Sequence, residues 1–344
     1  MGLRTELYNR NNVIADELHQ TLQEVYDASK EEIKGAPGGY ETGAKGARDA
    51  FFNDMQLTPL NRLQRMAGWN PDSKWYGMAK QLEKGERAQR RFKTEATRQL
   101  APVLEQYKDW MKTADGQGKD GKWYEIEVPA NWEYRMGDKP VFSNETVKVY
   151  MTPAQKVHMY LESKNYDNLR HMEGGRTFAD KELYSEGKRS EAFAQGTTVR
   201  LLPETVKQIV SDLTEEEQAL ANALEKFYNE YSKKEINRVS NILYGYDKAM
   251  EGSYAPIYTN DNYTKSEPGI FDVTAEGVGN LKSRVVSSNP SLNLSAFDAF
   301  EKSVDKTGRF VGMAIPIRNM NTLINWRATT SSGTFNEHRN HFCV

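Results

Sequence analysis

The chain has a single cysteine and no long hydrophobic run. Cys343 alone cannot form a disulfide within the chain, and so little cysteine is typical of a reducing cytoplasm. The longest apolar run, residues 311–317, contains glycine and proline and is far too short to span a bilayer. Residues 1–7 have no apolar core, which excludes a signal peptide there. These absences favour a cytoplasmic location.

The chain also lacks a surplus of charge of either sign. Lys and Arg number 46 against 48 Asp and Glu, so the formal net charge is −2. An overall basic charge, as nucleic-acid-binding proteins commonly carry, is therefore absent. Hydrophobic residues make up 38% of the 344 residues. This low fraction favours an elongated helical protein of two or three units over one compact globule.

The most regular pattern in the chain is an apolar stripe over residues 220–250, with spacings of three and four. It consists of Leu220, Leu224, Phe227, Tyr231, Val239, Leu243, Tyr246 and Met250. The spacing predicts one long helix whose apolar face is buried against another helix. A second stripe covers residues 75–110, with a kink expected near Leu100 because Pro102 interrupts it. We expect these two stripes to pack against each other.

Residues 122–150 have a different pattern. Apolar and polar residues alternate over 122–128, and similar short segments follow at 132–136 and 147–150. Gly, Asp and Pro separate these segments, which predicts a small antiparallel sheet inserted between helices. Residues 198–201 are expected to return to the same sheet.

Capping residues and helix breakers predict further helix boundaries. Thr152 followed by proline begins a helix, and Thr214 with Glu217 forms a capping box. Ser295 is expected to cap a last helix, which Pro316 ends.

The predicted fold is mainly α, an elongated bundle of long antiparallel helices with a small inserted antiparallel sheet. We divide it into an N-terminal helical segment at 1–57, a helical body at 58–327 and a disordered tail at 328–344. The body contains the β insert at about 122–150. Residues 252–294 are rich in Gly, Pro, Ser, Asn and Asp, and they predict a long irregular segment.

Two motifs resemble ligand sites, but their positions in the sequence favour a turn for one and a disordered tail for the other. Residues 116–121 (GQGKDG) have the spacing of a dinucleotide-binding fingerprint, which requires a strand before it and a helix after it. Here the predicted order is reversed, so we expect a turn and no cofactor. His338, His341 and Cys343 have spacing suited to a metal. They lie in the predicted tail, so we expect no metal.

The sequence offers no recognisable catalytic set. His158 and His171 lack a nucleophile partner, since Cys343 is distant and no serine lies on an elbow motif. His171 is expected to be a hydrogen-bonded packing residue. Carboxylates are too numerous to select a pair, and only a loop-rich neighbourhood distinguishes Asp272, Glu276 and Asp298. We predict a protein that is not an enzyme, with an unrecognised site around His171 and Arg176 as the alternative.

One helix is strongly basic. Residues 61–100 contain ten Lys or Arg against four acids. The candidate partner-binding residues are Arg87, Arg90, Arg91, Lys93 and Arg98. One interpretation is a solvated face that pairs with an acidic helix, for instance near Glu225 and Glu230. The other is contact with nucleic acid or another acidic partner; the poor interleaving of aromatic residues argues against base stacking.

Five short segments form a recognisable series. They are residues 151–156 (MTPAQK), 168–172 (NLRHM), 254–257 (YAPI), 277–284 (GVGNLKSR) and 314–321 (AIPIRNMN). In this order they resemble a helical region of large polyvalent proteins, which are giant multidomain proteins of phages and prophages of gut Firmicutes. The resemblance covers residues 60–327. No catalytic residues are assigned to that region, so none is carried over.

The resemblance implies a phage- or prophage-derived, non-enzymatic structural or protein-interaction protein. Its expected location is the virion or the host bacterial cytoplasm, and its expected partner is a virion or host protein, or a second copy of itself. The basic helix favours an alternative, a phage-encoded inhibitor of a bacterial defence system that binds a host protein or nucleic acid. The chain is far shorter than the proteins it resembles and departs from them after Arg327. A piece of a longer protein, a truncated gene and a stand-alone protein are therefore all open.

Overall fold

The computed structural model describes residues 74–133, 140–250, 252–259 and 289–331. At 74–76 and 320–331 it gives the course of the main chain alone. The predicted N-terminal segment and the histidine-rich end of the chain lie outside the described residues, as does most of the predicted irregular segment.

The described part of the chain is mostly helical, as predicted. Its helices are α1 (Lys74–Gln106), α2 (Lys108–Ala114), α3 (Pro153–Ser163), α4 (Tyr166–Gly174), α5 (Lys181–Ser185), α6 (Arg189–Ala194), α7 (Pro203–Ile209), α8 (Glu215–Lys226), α9 (Lys233–Tyr244) and α10 (Ala296–Ser331). A π-helical segment, Phe227–Ser232, joins α8 to α9. None of the described helices is both long enough and apolar enough for a bilayer crossing.

Seven short strands complete the described fold. They are β1 (Tyr124–Pro129), β2 (Trp132–Glu133), β3 (Val141–Phe142), β4 (Thr146–Met151), β5 (Arg176–Phe178), β6 (Thr197–Val199) and β7 (Ser291–Leu292). β1 pairs with β4 and β2 with β3, both antiparallel, which confirms the predicted insert. β6 was expected in the same insert, and that is wrong. It pairs with β5, which also pairs in parallel with β7.

The β6 segment nevertheless lies beside the insert through one side chain. The indole Nε1 of Trp132 donates to the main-chain oxygen of Arg200 at 3.1 Å. The Arg200 guanidinium in turn lies 4.2 Å from the centre of the Trp132 ring. The buried Trp132 side chain therefore joins the β6 segment to the insert, where the sequence pattern predicted pairing between strands.

The longest helices, α1 and α10, form the most extensive contact between elements of the described structure. They approach closely where Gly85 meets Gly312. A Cβ built on Gly312 would lie 2.3 Å from the carbonyl oxygen of Gly85, and one on Gly85 would lie 2.5 Å from that of Gly312. Two glycines permit this main-chain contact, whereas any side chain would prevent it.

The predicted partner of α1 was the 220–250 stripe, and this needs correction. α10 is the main partner, because Gly85 and Gly312 allow it a closer approach. The stripe also packs against α1, because α8 and the π-helical segment share one buried core with it. The ring of Phe92 stacks on Tyr231 with centroids 5.3 Å apart and lies 6.1 Å from the ring of Phe227.

The 220–250 stripe does not form one continuous α-helix up to Met250. It begins in α8, passes through the π-helical segment and ends with α9 at Tyr244. Gly245 then adopts a left-handed conformation with φ of 78°, which terminates the helix. As a result Tyr246 and Met250 are 52% and 73% exposed. The buried part of the stripe is the part that is helical.

Both long helices contain a proline that does not end them. α10 continues through Pro316 to Ser331, so the predicted end at Pro316 is wrong. The predicted tail at 328–344 lies outside the described residues from 332 onward. Ile317, next to this proline, is 1% exposed, and such packing outweighs one lost main-chain hydrogen bond. α1 likewise contains Pro102, but it ends at Gln106, and α2 follows.

The predicted caps are confirmed. Thr152 and Gln155 form a capping box at the start of α3, and Thr214 with Glu217 forms one at α8. The hydroxyl oxygen of Ser295 accepts the main-chain N–H of Phe297 at 3.2 Å. These signals are local, so the sequence was sufficient to identify them.

α3 lies at the junction of the two largest buried clusters. Its residues Val157 and Leu161 pack in the core shared by α1, α8, α9 and α10. Met159 packs in a second core with β1, β4, α4 and β6. A third, smaller cluster lies around Tyr184 in α5 and Phe193 in α6. Nearly all of α3 is buried, including its polar residues. Its charged groups therefore need partners inside the protein.

The glycine contact between α1 and α10 makes a prediction. Gly312→Ala should destabilise the protein by about 1–3 kcal/mol, because the new Cβ meets main-chain atoms that cannot move alone. Gly308→Ala is the matched control, since its Cβ would lie 3.4 Å from the Phe92 ring, an ordinary contact. This control should be neutral or stabilising by up to about 1 kcal/mol from helix propensity. Urea unfolding followed by circular dichroism measures both, and equal effects would contradict the close approach.

Candidate functional site

The arginines of the predicted basic surface lie on the exposed side of α1. The side chains of Arg87, Arg90 and Arg98 are 70–73% exposed. Each forms an ion pair with a glutamate three or four residues earlier in α1. The pairs are Arg87–Glu83, Arg90–Glu86 and Arg98–Glu95. Exposed pairs of this spacing contribute little to stability, so an external acid can replace the glutamate at small cost.

The other two predicted residues differ in position. Arg91 is exposed on α1. Lys93 is turned towards α10 and forms an ion pair with Asp305, to which Arg309 also bonds at 2.9 Å. Lys93 therefore stabilises the contact between the long helices rather than belonging to the free surface.

The prediction that the basic helix pairs with an acidic helix near Glu225 is wrong. Glu225 accepts a hydrogen bond from the Nζ of Lys164 at 2.6 Å, across the contact between α3 and α8. The arginines of α1 pair within their own helix instead, because side chains one turn apart meet without any tertiary contact.

A second charged cluster is enclosed in the core. Glu162 on α3 and Arg176 on β5 form an ion pair, and both are fully buried. The guanidinium also donates to the hydroxyl of Ser291 at 3.2 Å and to Oδ1 of Asn293 at 3.1 Å. One arginine thus connects α3, β5 and the β7 segment.

His158 lies one turn before Glu162 and belongs to the same cluster. Its Nε2 is 3.4 Å from Oε1 of Glu162, and the residue is 1% exposed. Burial lowers the pKa of His158, although the Glu162 charge and the main chain at Pro256 oppose the shift. His171, on α4, is also buried. Of the two residues that the sequence suggested for an unrecognised site, Arg176 uses both terminal guanidinium nitrogens to bond its core partners.

A third cluster was missed by sequence reasoning. Arg189 at the start of α6 forms ion pairs with Asp115, which follows α2, and with Asp298 in the first turn of α10. The three side chains are 15–20% exposed. The Arg189 guanidinium lies 5.3 Å from the centre of the Tyr184 ring. The three charged residues are far apart along the chain, and no local pattern joins them.

One carboxylate of this cluster has a raised pKa. Burial raises the pKa of Asp298 to about 6, and the nearby Asp115 and Glu301 charges add to the rise, while Arg189 opposes it. Carboxylates with a raised pKa occur in acid–base catalysis. Here, however, Arg189 bonds both carboxylates, so the arrangement primarily joins three helices.

The glycine-rich segment at 116–121 is a turn between α2 and β1, as predicted. Gly116 and Gly118 have φ of 70° and 71°. The N–H of Gly118 donates to the carbonyl of Ser185 at 3.1 Å, which holds the turn against the end of α5. Gln117 donates to Asp115 at 3.3 Å. The turn therefore supports the Asp115–Arg189–Asp298 cluster.

The enclosed ion pair makes a prediction for stability. Arg176→Met should cost about 3–5 kcal/mol, because the Glu162 carboxylate is left buried without its partner. The double variant Arg176→Met with Glu162→Leu should recover much of this loss, since no uncompensated charge is left. Chemical denaturation of both single variants and the double variant measures the coupling. Additive losses would contradict a direct pairing.

Asp298 makes a prediction for pH dependence. Its folded pKa, about 6, exceeds the ordinary 3.8, so between these values the folded state binds more protons than the unfolded state. Ionised Asp298 therefore costs stability above pH 6. Asp298→Asn should match the wild type near pH 4 and exceed it at pH 7 by about 2–3 kcal/mol.

The control for this measurement is Asp109→Asn, because Lys112 lowers the pKa of Asp109. That variant should show no gain in relative stability as pH rises. Denaturation curves at several pH values between 4 and 7 test both variants. A constant difference between Asp298→Asn and wild type would refute the raised pKa.

Comparisons of this chain with protein-family models, curated proteins and solved structures find no match. The resemblance to large polyvalent phage proteins consequently stays a prediction.

Proposed function

We propose that this chain is a structural, protein-interaction part of a phage- or prophage-derived protein, acting without enzymatic chemistry in the virion or the host bacterial cytoplasm. The observation that carries the proposal is the outer face of α1. Its arginines are 70–73% exposed, and their ion pairs are with glutamates of the same helix. Such a face is available to an acidic partner.

A rigid frame supports this surface. The Gly85–Gly312 contact holds α1 against α10, and Lys93 pairs with Asp305 beside it. The contacts between the two helices run in opposite order along the chain, since residue 85 meets 312 and residue 93 meets 305. This order supports an elongated bundle with long antiparallel helices as the architecture of the body.

The residues best suited to catalysis by their chemistry favour a structural role over a catalytic one. His158, Glu162 and Arg176 are each no more than 1% exposed, and the ion pair among them joins α3 to β5. Groups enclosed in this way are well placed to hold elements together and poorly placed to meet a substrate.

The segments that carry the resemblance lie mainly in the buried body of the described structure. Residues 151–156 cover the start of α3 and the two residues before it. Residues 168–172 lie in α4, and residues 314–321 lie in α10. Asn168 donates through Nδ2 to the carbonyl of Ala255 at 3.3 Å, which links two of the segments in the core. Residues 277–284 lie outside the described residues. The described residues of the segments that carry the resemblance are thus largely buried, whereas the arginines of α1 lie outside these segments.

The second candidate function is inhibition of a bacterial defence system by binding a host protein or its nucleic acid. The same arginines favour it, because Arg87, Arg91 and Arg98 fall on one side of a helix with 3.6 residues per turn. The glutamates between them lower the net positive charge on which binding to a phosphate backbone depends. An acidic protein is therefore the preferred partner in either case.

Charge reversal on α1 tests the proposal. Arg87→Glu, Arg90→Glu and Arg91→Glu in one variant should reduce recovery of cross-linked partners from lysate and virions about tenfold or more, because the partner's acids are now repelled. Quantitative mass spectrometry measures the recovery. The control reverses three exposed lysines elsewhere: Lys207, Lys226 and Lys234.

The outcomes separate the candidate functions. Equal recovery with both variants would show that α1 is not the partner surface. A virion protein as partner favours the structural role, whereas a host defence protein favours the inhibitor. Anisotropy with a labelled DNA duplex at several salt concentrations tests the nucleic-acid alternative. Turnover of a nucleotide, peptide or glycan that Asp298→Asn abolishes would overturn the non-enzymatic role.

A further inference from the structure

The turn between α2 and β1 contains two Asp–Gly dipeptides, Asp115–Gly116 and Asp120–Gly121. Such a dipeptide can react with itself, because the main-chain nitrogen of the glycine can attack the carboxyl carbon of the aspartate. A glycine has no side chain to hinder this approach. The two dipeptides have the same reacting groups, so their surroundings in the fold distinguish them.

Asp115–Gly116 is held at both of its reacting groups. The Asp115 side chain is 19% exposed and forms an ion pair with Arg189. It also accepts a hydrogen bond from Nε2 of Gln117 at 3.3 Å. Gly116 is buried, and its N–H donates to the carbonyl of Thr113 at 3.1 Å. The carboxylate is therefore fixed against Arg189, and the nitrogen that would attack it is already bonded elsewhere.

Asp120–Gly121 is held much more loosely. The Asp120 side chain is exposed, and it has no ion pair or hydrogen bond in the part of the chain that the structure describes. The N–H of Gly121 donates to the carbonyl of Gly118 at 3.4 Å. This bond is longer and weaker than an ordinary N–H···O bond of about 2.9–3.0 Å. The Asp120 carboxyl group can therefore rotate towards the nitrogen of Gly121.

The fold requires the glycine of this second dipeptide. A Cβ built on Gly121 would lie 2.4 Å from the main-chain carbonyl of Gly116, a distance that main-chain atoms cannot accommodate. The tight turn therefore places an unhindered nitrogen directly after an exposed aspartate. A side chain at residue 121, which would slow the reaction, is excluded by the packing of the turn.

We propose that Asp120–Gly121 is a site of spontaneous isoaspartate formation, and that the folded contacts of Asp115 protect Asp115–Gly116 from the same reaction. The nitrogen of Gly121 bonds to Cγ of Asp120, and the carboxyl hydroxyl leaves with the amide proton as water, which closes a succinimide ring. Water then opens the ring. Opening at Cγ restores aspartate, whereas opening at the Asp120 main-chain carbonyl leaves isoaspartate, with the same atoms but one more methylene in the main chain.

The extra methylene would lie in a turn that joins α2, α5 and β1. The N–H of Gly118 donates to the carbonyl of Ser185 at 3.1 Å, and the N–H of Lys122 donates to the carbonyl of Thr113 at 2.9 Å. Asp120 lies between these two donors along the chain. A longer main chain there strains one or both bonds, so we expect the modified protein to have a lower thermal midpoint.

Incubation in water enriched in the heavy isotope of oxygen tests the proposal, because each ring opening adds one labelled oxygen. The full chain is kept folded at neutral pH and then digested in ordinary water with trypsin, which cuts after Lys119 and separates the two sites. Mass spectrometry should find label at Asp120 and little above background at Asp115. Electron-transfer fragmentation of the Asp120 peptide should identify isoaspartate.

Asp120→Glu is the matched control. Its side chain is one methylene longer, so the ring would be larger and would close far more slowly. The label in this peptide should therefore fall to background. An Asp120 peptide from the wild type with no more label than the Asp120→Glu peptide would overturn the site.

Wild-type protein unfolded in guanidinium chloride tests the protection of Asp115. Without the fold, both sites should take up label at similar rates, because a glycine follows each aspartate. A contrast that persists in the unfolded chain would refute protection by the folded contacts. Equal label at Asp115 and Asp120 in the folded protein would refute it as well.

Thermal unfolding of fresh and aged protein tests the effect on the turn. The midpoint of the wild type should fall as the isoaspartate fraction rises. Asp120→Glu, aged alongside, should keep its midpoint, since an exposed side chain without partners in the described structure can be changed at little cost. An equal fall in both proteins, or no fall in a sample rich in isoaspartate, would contradict the strain on the turn.

Discussion

The main-chain contact between Gly85 and Gly312 is the constraint on which the described helical body depends. It allows α1 and α10 to lie closer together than helices that have side chains between them. It also fixes which faces of the two helices are in contact. Phe92 on α1 then meets the rings of Phe227 and Tyr231 in the π-helical segment. The third helical unit, α8 to α9, therefore packs against a pair whose geometry the glycines have already determined.

Charged residues in this protein fall into groups with different physical roles. The Glu162–Arg176 pair is enclosed and compensated, and it connects elements across the core. The arginines of α1 are exposed and held by weak pairs in their own helix. Lys248 is enclosed without a carboxylate in the described structure. The first group stabilises the fold, whereas the arginines of α1 leave their charge at the surface.

Sequence reasoning succeeded where the signal lay within a few residues. The helix starts at Thr152 and Thr214, the alternation in β1 and the helical class all depend on short spacings. It also named the exposed arginines correctly, because residue type largely decides exposure. It assigned Lys93 to the same surface, although this residue faces α10, since helix rotation is not encoded by a charge count.

The sequence by itself determined where several helices and the strands β1 and β4 begin, because caps, alternation and apolar spacing are local properties of the chain. Only the tertiary structure decided which elements meet. Gly85 and Gly312 lie in two separate helices, and their main chains meet only in the folded structure. Asp115, Arg189 and Asp298 likewise form one cluster from distant positions. Burial and charge compensation depend on such contacts between residues that are distant in sequence, so they arise only when the chain has folded.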